Sequence, residues 1–312
     1  MDLAENILEY YKTRQQELDD DKQFHFATRM AAWRGDEQAF QTLRDMRTYI
    51  AGDGSAEQIG KILRDIFATP QTGRQNAFNL RAPYFQKYPN LYGAHAVLFR
   101  VRHLEAVYGI DARTQLFSII SEAKLTQLEH DLFDDEEAFA ILSTYAVNYS
   151  YLLERVIRKN NEELNTARLF QIAKHYDSTS AQHTQLLLYL FTHCVIGESN
   201  FYTRIIPAQF LATYQEMLRQ LEAIIGISYD TVNLDNKLEF LVCCRICNYD
   251  SELSAKIYDE CSRSISLDGT FVVDTHNKNA QTERNSFDRS EHRNVLLIMS
   301  ATPYTPRSTL VN

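Results

Sequence analysis

The sequence predicts an all-α protein, and three observations predict it. Helix-breaking residues are scarce, with ten glycines and six prolines in 312 residues. No glycine falls from Ile110 to Ile196 and no proline between Pro89 and Pro207, whereas a β-rich chain needs turn residues every ~8–12 positions. Apolar residues also recur at three- and four-residue steps over long stretches. The expected architecture is a multi-helix array of antiparallel helical hairpins, an open α-solenoid-like stack or a closed α/α ring, with few or no strands.

Helices are expected near residues 3–17, 20–34, 36–50 and 56–68. Phe24, Phe26, Met30 and Trp33, with His25 among them, read as core packing. Ser55 with Gln58 resembles a capping box at the fourth helix. The stretch 73–90 holds Pro83 and Pro89 and is the best boundary candidate, but Tyr84, Phe85 and Tyr88 make it a segment that packs on something. Residues 92–108 carry the stripe Val97, Leu98, Val101, Leu104 and Tyr108, with Arg100, Arg102 and His103 as a solvated basic patch beside it.

A helix over 112–130 takes Asp111 as its N-cap. The next, within 134–160, carries Leu142, Tyr145, Tyr149, Leu152, Leu153 and Val156, and its acidic start, Asp134 to Glu137, suits the helix dipole. Helices follow at 165–176 and at 180–196, the latter capped by Ser180. In 207–226, Phe210, Leu211, Tyr214, Met217, Leu218, Leu221, Ile224 and Ile225 share one face, Pro207 fits the first turn and Gly226 the stop. Helices at 233–248 and 252–264 complete the regular part. Beyond Gly269, Thr270 to Val273 reads as a short extended piece, 274–289 as a polar loop, 294–299 as apolar again, and 302–312 as a tail. The regions expected are 1–88, 89–281 and 282–312, the first two packed as one continuous body.

Composition excludes several classes. Hydrophobic residues at 45 % and charged residues at 23 % match a folded globular chain. A net charge of −9 disfavours nucleic acid, whose binding depends on Lys and Arg at phosphates, and anionic membrane surfaces. The longest apolar run, Leu186 to Phe191, falls far short of the ~20 residues of a membrane span. Met1-Asp2-Leu3-Ala4-Glu5-Asn6 has neither the basic start nor the apolar core of a secretory signal. Five cysteines in apolar helical context suit reduced thiols, so a cytoplasmic location is expected.

The segment from Asp274 to Asn294 carries His276, His292, Glu291, Arg293 and further charged residues among amides and hydroxyls. Such a set can bind an anion, run acid–base chemistry or simply be a solvated loop leading to a helix capped at Asp288 or Ser290. A second set runs from Phe191 to Arg204. His193 lies about 20° round the helix from Leu186 and so sits on an apolar face, and the chain then offers Glu198, Tyr202 and Arg204. The bland alternative is a core histidine with Glu198 and Arg204 as an ordinary ion pair. Cys244-x-x-Cys247 with Cys261 and His276 has the residue types of a zinc set, but its surroundings read as a buried helix, so no metal is expected.

No phosphate loop, dinucleotide fingerprint, zinc-protease motif or nucleophile elbow occurs, and no cofactor is expected. Two functions remain. The first is a helical-repeat binding protein whose partner is a protein or peptide. The second is an enzyme or small-molecule binder, its pocket formed where 274–294 meets the end of the 180–196 helix. There His193, Glu198, Glu291 and His292 are the catalytic candidates, and Tyr202, Arg204, Asp274, His276, Arg293 and Asn294 the ligand-binding ones.

Overall fold

The computed structural model describes residues 3–69, 79–177, 179–274 and 286–307. Among them the chain is helical throughout: α1 (Leu3–Arg14), α2 (Asp20–Arg34), α3 (Glu37–Asp45), α4 (Arg47–Ala51), α5 (Ala56–Ala68), α6 (Ala82–Lys87), α7 (Leu91–Tyr108), α8 (Arg113–Phe117), α9 (Glu122–Asp134), α10 (Glu136–Leu142), α11 (Thr144–Leu152), α12 (Thr166–Ala173), α13 (Ala181–Glu198), α14 (Ala208–Ile227), α15 (Leu234–Ile246), α16 (Ser254–Arg263) and α17 (Glu291–Ala301). There is no sheet among the described residues. The extended piece expected near Val272 is one antiparallel bridge to Ile265.

The described residues form two compact units, cut at Arg44/Asp45 and Phe201/Tyr202. One unit runs from Asp45 to Phe201. Its centre is α11, which packs on α7 and α13. Every residue from Ala146 to Leu153 is buried, which is why this helix shows no clean polar face. Close approach is built in by glycine: a Cβ on Gly197 of α13 would meet the Tyr151 ring at 2.3 Å, and one on Gly93 of α7 would meet the Phe67 carbonyl oxygen at 2.6 Å.

The other unit joins both ends of the chain. Its α17 packs on α1, α2 and α15, and α15 packs on α14 and α16. From Glu291 to Ser300 every residue of α17 except His292 is buried. The aromatic stripe of α2 is core as expected, Phe26, Met30 and Trp33 being at most 1 % exposed. The tail docks: Thr305 and Arg307 donate backbone N–H bonds to the Trp33 and Ala32 carbonyls at 3.0 and 3.1 Å.

Several local expectations need correction. Ser121 accepts the Lys124 N–H and starts a fresh helix, so 112–130 is two helices. Ser143, at φ +46°, breaks 134–160 into α10 and α11, and a π-helical turn follows at Leu153–Ile157. Residues 36–50 divide likewise into α3 and α4. Ser55 and Ser180 cap as predicted, accepting from Gln58 and His183. Asp111 accepts the Arg113 N–H outside α8, whose N-cap is Ala112. Gly226 lies inside α14, which stops at Ser228. Ser290 occupies the N-cap of α17 without a side-chain cap bond, while Asp288 accepts the Asp19 N–H at 3.2 Å and pairs with Lys22.

Candidate functional site

The expected site residues divide between the units. Tyr202, Arg204, Asp274, Glu291, His292, Arg293 and Asn294 belong to the unit that contains both chain ends. His193 and Glu198 belong to the 45–201 unit. His276 lies outside the described residues.

In the first unit the centre is a carboxylate–imidazole pair that sequence reasoning missed. Glu291 opens α17 and is 2 % exposed. Its two oxygens lie 2.9 and 3.1 Å from Nδ1 of His25 on α2. A carboxylate accepts only, so Nδ1 is the donor of this contact and Nε2 is the ring nitrogen that faces away from it. The neighbouring His292 ring stands 5.4 Å from that of His25, tilted by 52°. Dense surroundings and the His25 charge lower the His292 pKa, against smaller opposing effects of Asp235, Glu239 and Glu291. His292 therefore stays neutral below its ordinary titration range, although its residue surface is exposed.

The flanking residues hold this pair in place. Arg293 is 6 % exposed and lies 2.9 and 3.0 Å from the two Asp235 oxygens of α15. Asn294 exchanges two hydrogen bonds with the Val272 backbone, at 2.8 and 2.9 Å, and donates to the Ser290 carbonyl at 2.8 Å. Its amide is spent on tying Val272 to α17, one residue after Phe271 and two before Asp274. One turn beyond His25, the Arg29 guanidinium lies over the Tyr202 ring at 4.7 Å, and Tyr202 meets Trp33 edge-on at 6.1 Å. Tyr202 is 3 % exposed, and burial pushes its phenol far up. The Arg204 carbonyl accepts the Tyr304 hydroxyl at 2.8 Å, so Arg204 anchors the tail.

In the 45–201 unit, Glu198 is wholly buried and pairs with Arg155 of the π-turn at 2.8 Å. Arg155 also donates to the Asn160 and Glu162 carbonyls at 2.6 and 2.8 Å. A carboxylate so enclosed is a structural anchor. His193 Nδ1 lies 2.9 Å from the side-chain oxygen of Asn148. The basic patch of α7 is not solvated. Arg102 is 5 % exposed and donates to the Asn200 and Phe201 carbonyls at 2.6 and 3.3 Å, and Arg100 donates to the Ile50 carbonyl at 3.0 Å. The two Arg102 bonds brace a run in which Asn200, Phe201 and Tyr202 all have positive φ, 48°, 54° and 74°. Such a run without glycine is strained and is kept only by its surroundings.

Chemically, the His25–Glu291–His292 group can accept and deliver a proton, and two imidazoles with an oriented tautomer can hold a polar ligand. The described residues contain no group of three or more His, Cys, Asp or Glu side chains arranged to hold a metal ion. The five cysteines are buried thiols. Burial raises the thiols of Cys194, Cys244, Cys247 and Cys261, which makes them unreactive. No helix is long and apolar enough to cross a membrane, among the described residues. No protein-family model matches the chain, and no curated protein or solved structure matches it.

The signal that could have found His25 was periodicity. His25, Arg29 and Trp33 follow one another at four-residue steps along α2, so the histidine lies in line with the Arg29 and Trp33 that meet Tyr202 and about 100° and 140° round from Phe26 and Met30. Reading the aromatic stripe as one block absorbed the histidine into it.

Proposed function

We propose that this chain binds a small polar ligand at His25, Glu291 and His292 and moves a proton on it. The observation that carries this reading is the buried Glu291 carboxylate aimed at His25, with a second imidazole, that of His292, 5.4 Å from the first. Packing alone gains little from such an arrangement. Two adjacent imidazoles repel when charged, and a buried carboxylate is costly unless it is paired. His292 is also the sole exposed position between Glu291 and Ser300, in a helix otherwise committed to the core. Orienting one histidine through Nδ1 while a second stays unprotonated is how acid–base sites divide their roles.

The peptide-binding reading finds less support. The large apolar side chains that are exposed among the described residues are Tyr49, Ile205, Ile227 and Leu267. Ile205 and Ile227 flank opposite ends of α14, and scattered exposed residues of this kind do not form a docking patch. Five buried thiols and the absence of a disulfide support a reducing, cytoplasmic setting.

A thermal-shift screen of small polar metabolites tests the proposal, because a ligand specific to the native state raises apparent stability by about 2.7 kcal/mol at 100 times its Kd. Stabilising compounds are expected to lose their effect in His25→Ala and His292→Ala. They should keep it in His175→Ala, which removes an exposed histidine paired with Glu136. A screen without hits, or hits that survive both site variants, counts against the reading.

A further inference from the structure

A second histidine cluster lies wholly within the 45–201 unit and is not used by the site above. His95 on α7 is half-buried, and its ring stands 4.9 Å from Phe99 and 5.0 Å from Tyr145. Phe85 and Tyr92 extend the aromatic wall at 5.0 and 6.0 Å from Tyr145, and Phe201 continues it beyond Phe99 at 4.9 Å. Tyr92, Phe99 and Tyr145 remain partly exposed. The Nε2 of His95 is buried, and it has no hydrogen-bond partner among the described residues. Buried polar atoms are almost always paired, so an exception inside an aromatic wall calls for a partner that arrives from outside.

We infer that His95, Phe99 and Tyr145 form a binding site for a neutral, flat, heteroaromatic ligand, whose ring stacks within the aromatic wall and whose polar edge bonds His95 Nε2. Charge decides the ligand class. Burial, helped by His193, keeps the His95 imidazole neutral with a pKa of about 3, so it offers no charge to an anion. A cation would find aromatic faces, but it would share them with the Arg81 guanidinium, which already lies over Tyr145 at 5.4 Å. A neutral ring avoids both costs. Aromatic faces hold it by offset or edge contacts, and one complementary hydrogen bond at its edge satisfies Nε2.

The tautomer of His95 sets whether that edge must donate or accept, and three probes of similar size separate the cases. Indole offers a donor, quinoline an acceptor and naphthalene neither. Binding to the full chain is followed by the His95 ring resonance in a sample labelled with ¹³C-histidine and by calorimetry. One heteroaromatic probe is expected to bind about tenfold or more tightly than naphthalene, since a buried polar atom left unpaired is what such a site discriminates against. In His95→Phe that preference should vanish while naphthalene binding persists. In Phe99→Trp, which fills the wall and keeps His95, all three should weaken together. His25→Ala should leave them unchanged, so this result stands apart from the outcome at the other histidine pair. Absence of binding by all three probes, equal binding of naphthalene, or a preference that survives His95→Phe overturns the inference.

Discussion

At the scale of single residues the molecule concentrates its electrostatic risk in a few buried groups. Glu198 and Arg155 form one such pair. Removing the cation alone leaves a carboxylate with 0 % exposure, so Arg155→Met should cost about 3–5 kcal/mol in denaturant unfolding. The double variant Arg155→Met with Glu198→Gln should recover part of that loss, and recovery of none would show that the pair is not coupled. His95 yields a second prediction, with the sign set by its depressed pKa. The folded value is held to about 3 and the unfolded value is near 6.5. Between these limits the unfolded chain binds one more proton. Stability therefore falls as pH drops from about 6.5 towards 3, by at most about 1.4 kcal/mol per pH unit for this group. His95→Phe should flatten that part of the curve by one proton, which urea unfolding across the window would measure.

Residue-scale legibility in the sequence was uneven, for physical reasons. Glu291 and His292 stood out because they lie in a dense polar stretch just before an apolar run. His25 did not, because its partner lies 266 positions away and no local pattern encodes that distance. Arg102 looked solvated because its acceptors, the carbonyls of Asn200 and Phe201, are 98 and 99 positions on. Backbone acceptors carry no residue-type signature.

At the scale of elements the sequence spoke more clearly. Helices α2, α5, α7, α13 and α14 could be placed because their apolar periods, caps and breakers agree with one another. The splits at Ser121 and Ser143 were missed because serine is as acceptable inside a helix as at its start, and what decides between them is the packing around α9, α10 and α11. Helix α11 sits so tightly against α13 that one methyl group is testable. Gly197→Ala would drive a Cβ to 2.3 Å from the Tyr151 ring. It should destabilise by about 1–3 kcal/mol through overpacking, although alanine has the better helix propensity by about 1 kcal/mol. A more stable variant, by thermal melting, would mean that Tyr151 moves aside at no cost.

At the scale of the whole molecule the chain is wound in two unequal ways. The 45–201 unit is continuous in sequence. The other must join α1 and α2 to α17, and Tyr11 on α1 donates to the Phe287 carbonyl across 276 positions. Closing that loop is entropically slow to reward. Pulse-labelled hydrogen exchange during refolding should therefore protect amides of α7, α11 and α13 before those of α1 and α17. Simultaneous protection, or the reverse order, would rule out this sequence of events.

The same winding has a consequence during synthesis. His25 leaves the ribosome early, but the carboxylate that orients it is made 266 residues later, roughly 15–50 s at ordinary elongation rates. Until then α2 exists without the helix that completes its unit, and His25 has neither Glu291 nor His292 beside it. A chain released before α17 would carry most of its helices and the whole 45–201 unit, yet be chemically blank at the His25 pair. The pair thus registers whether translation has reached α17, and any activity that depends on it begins only after that point.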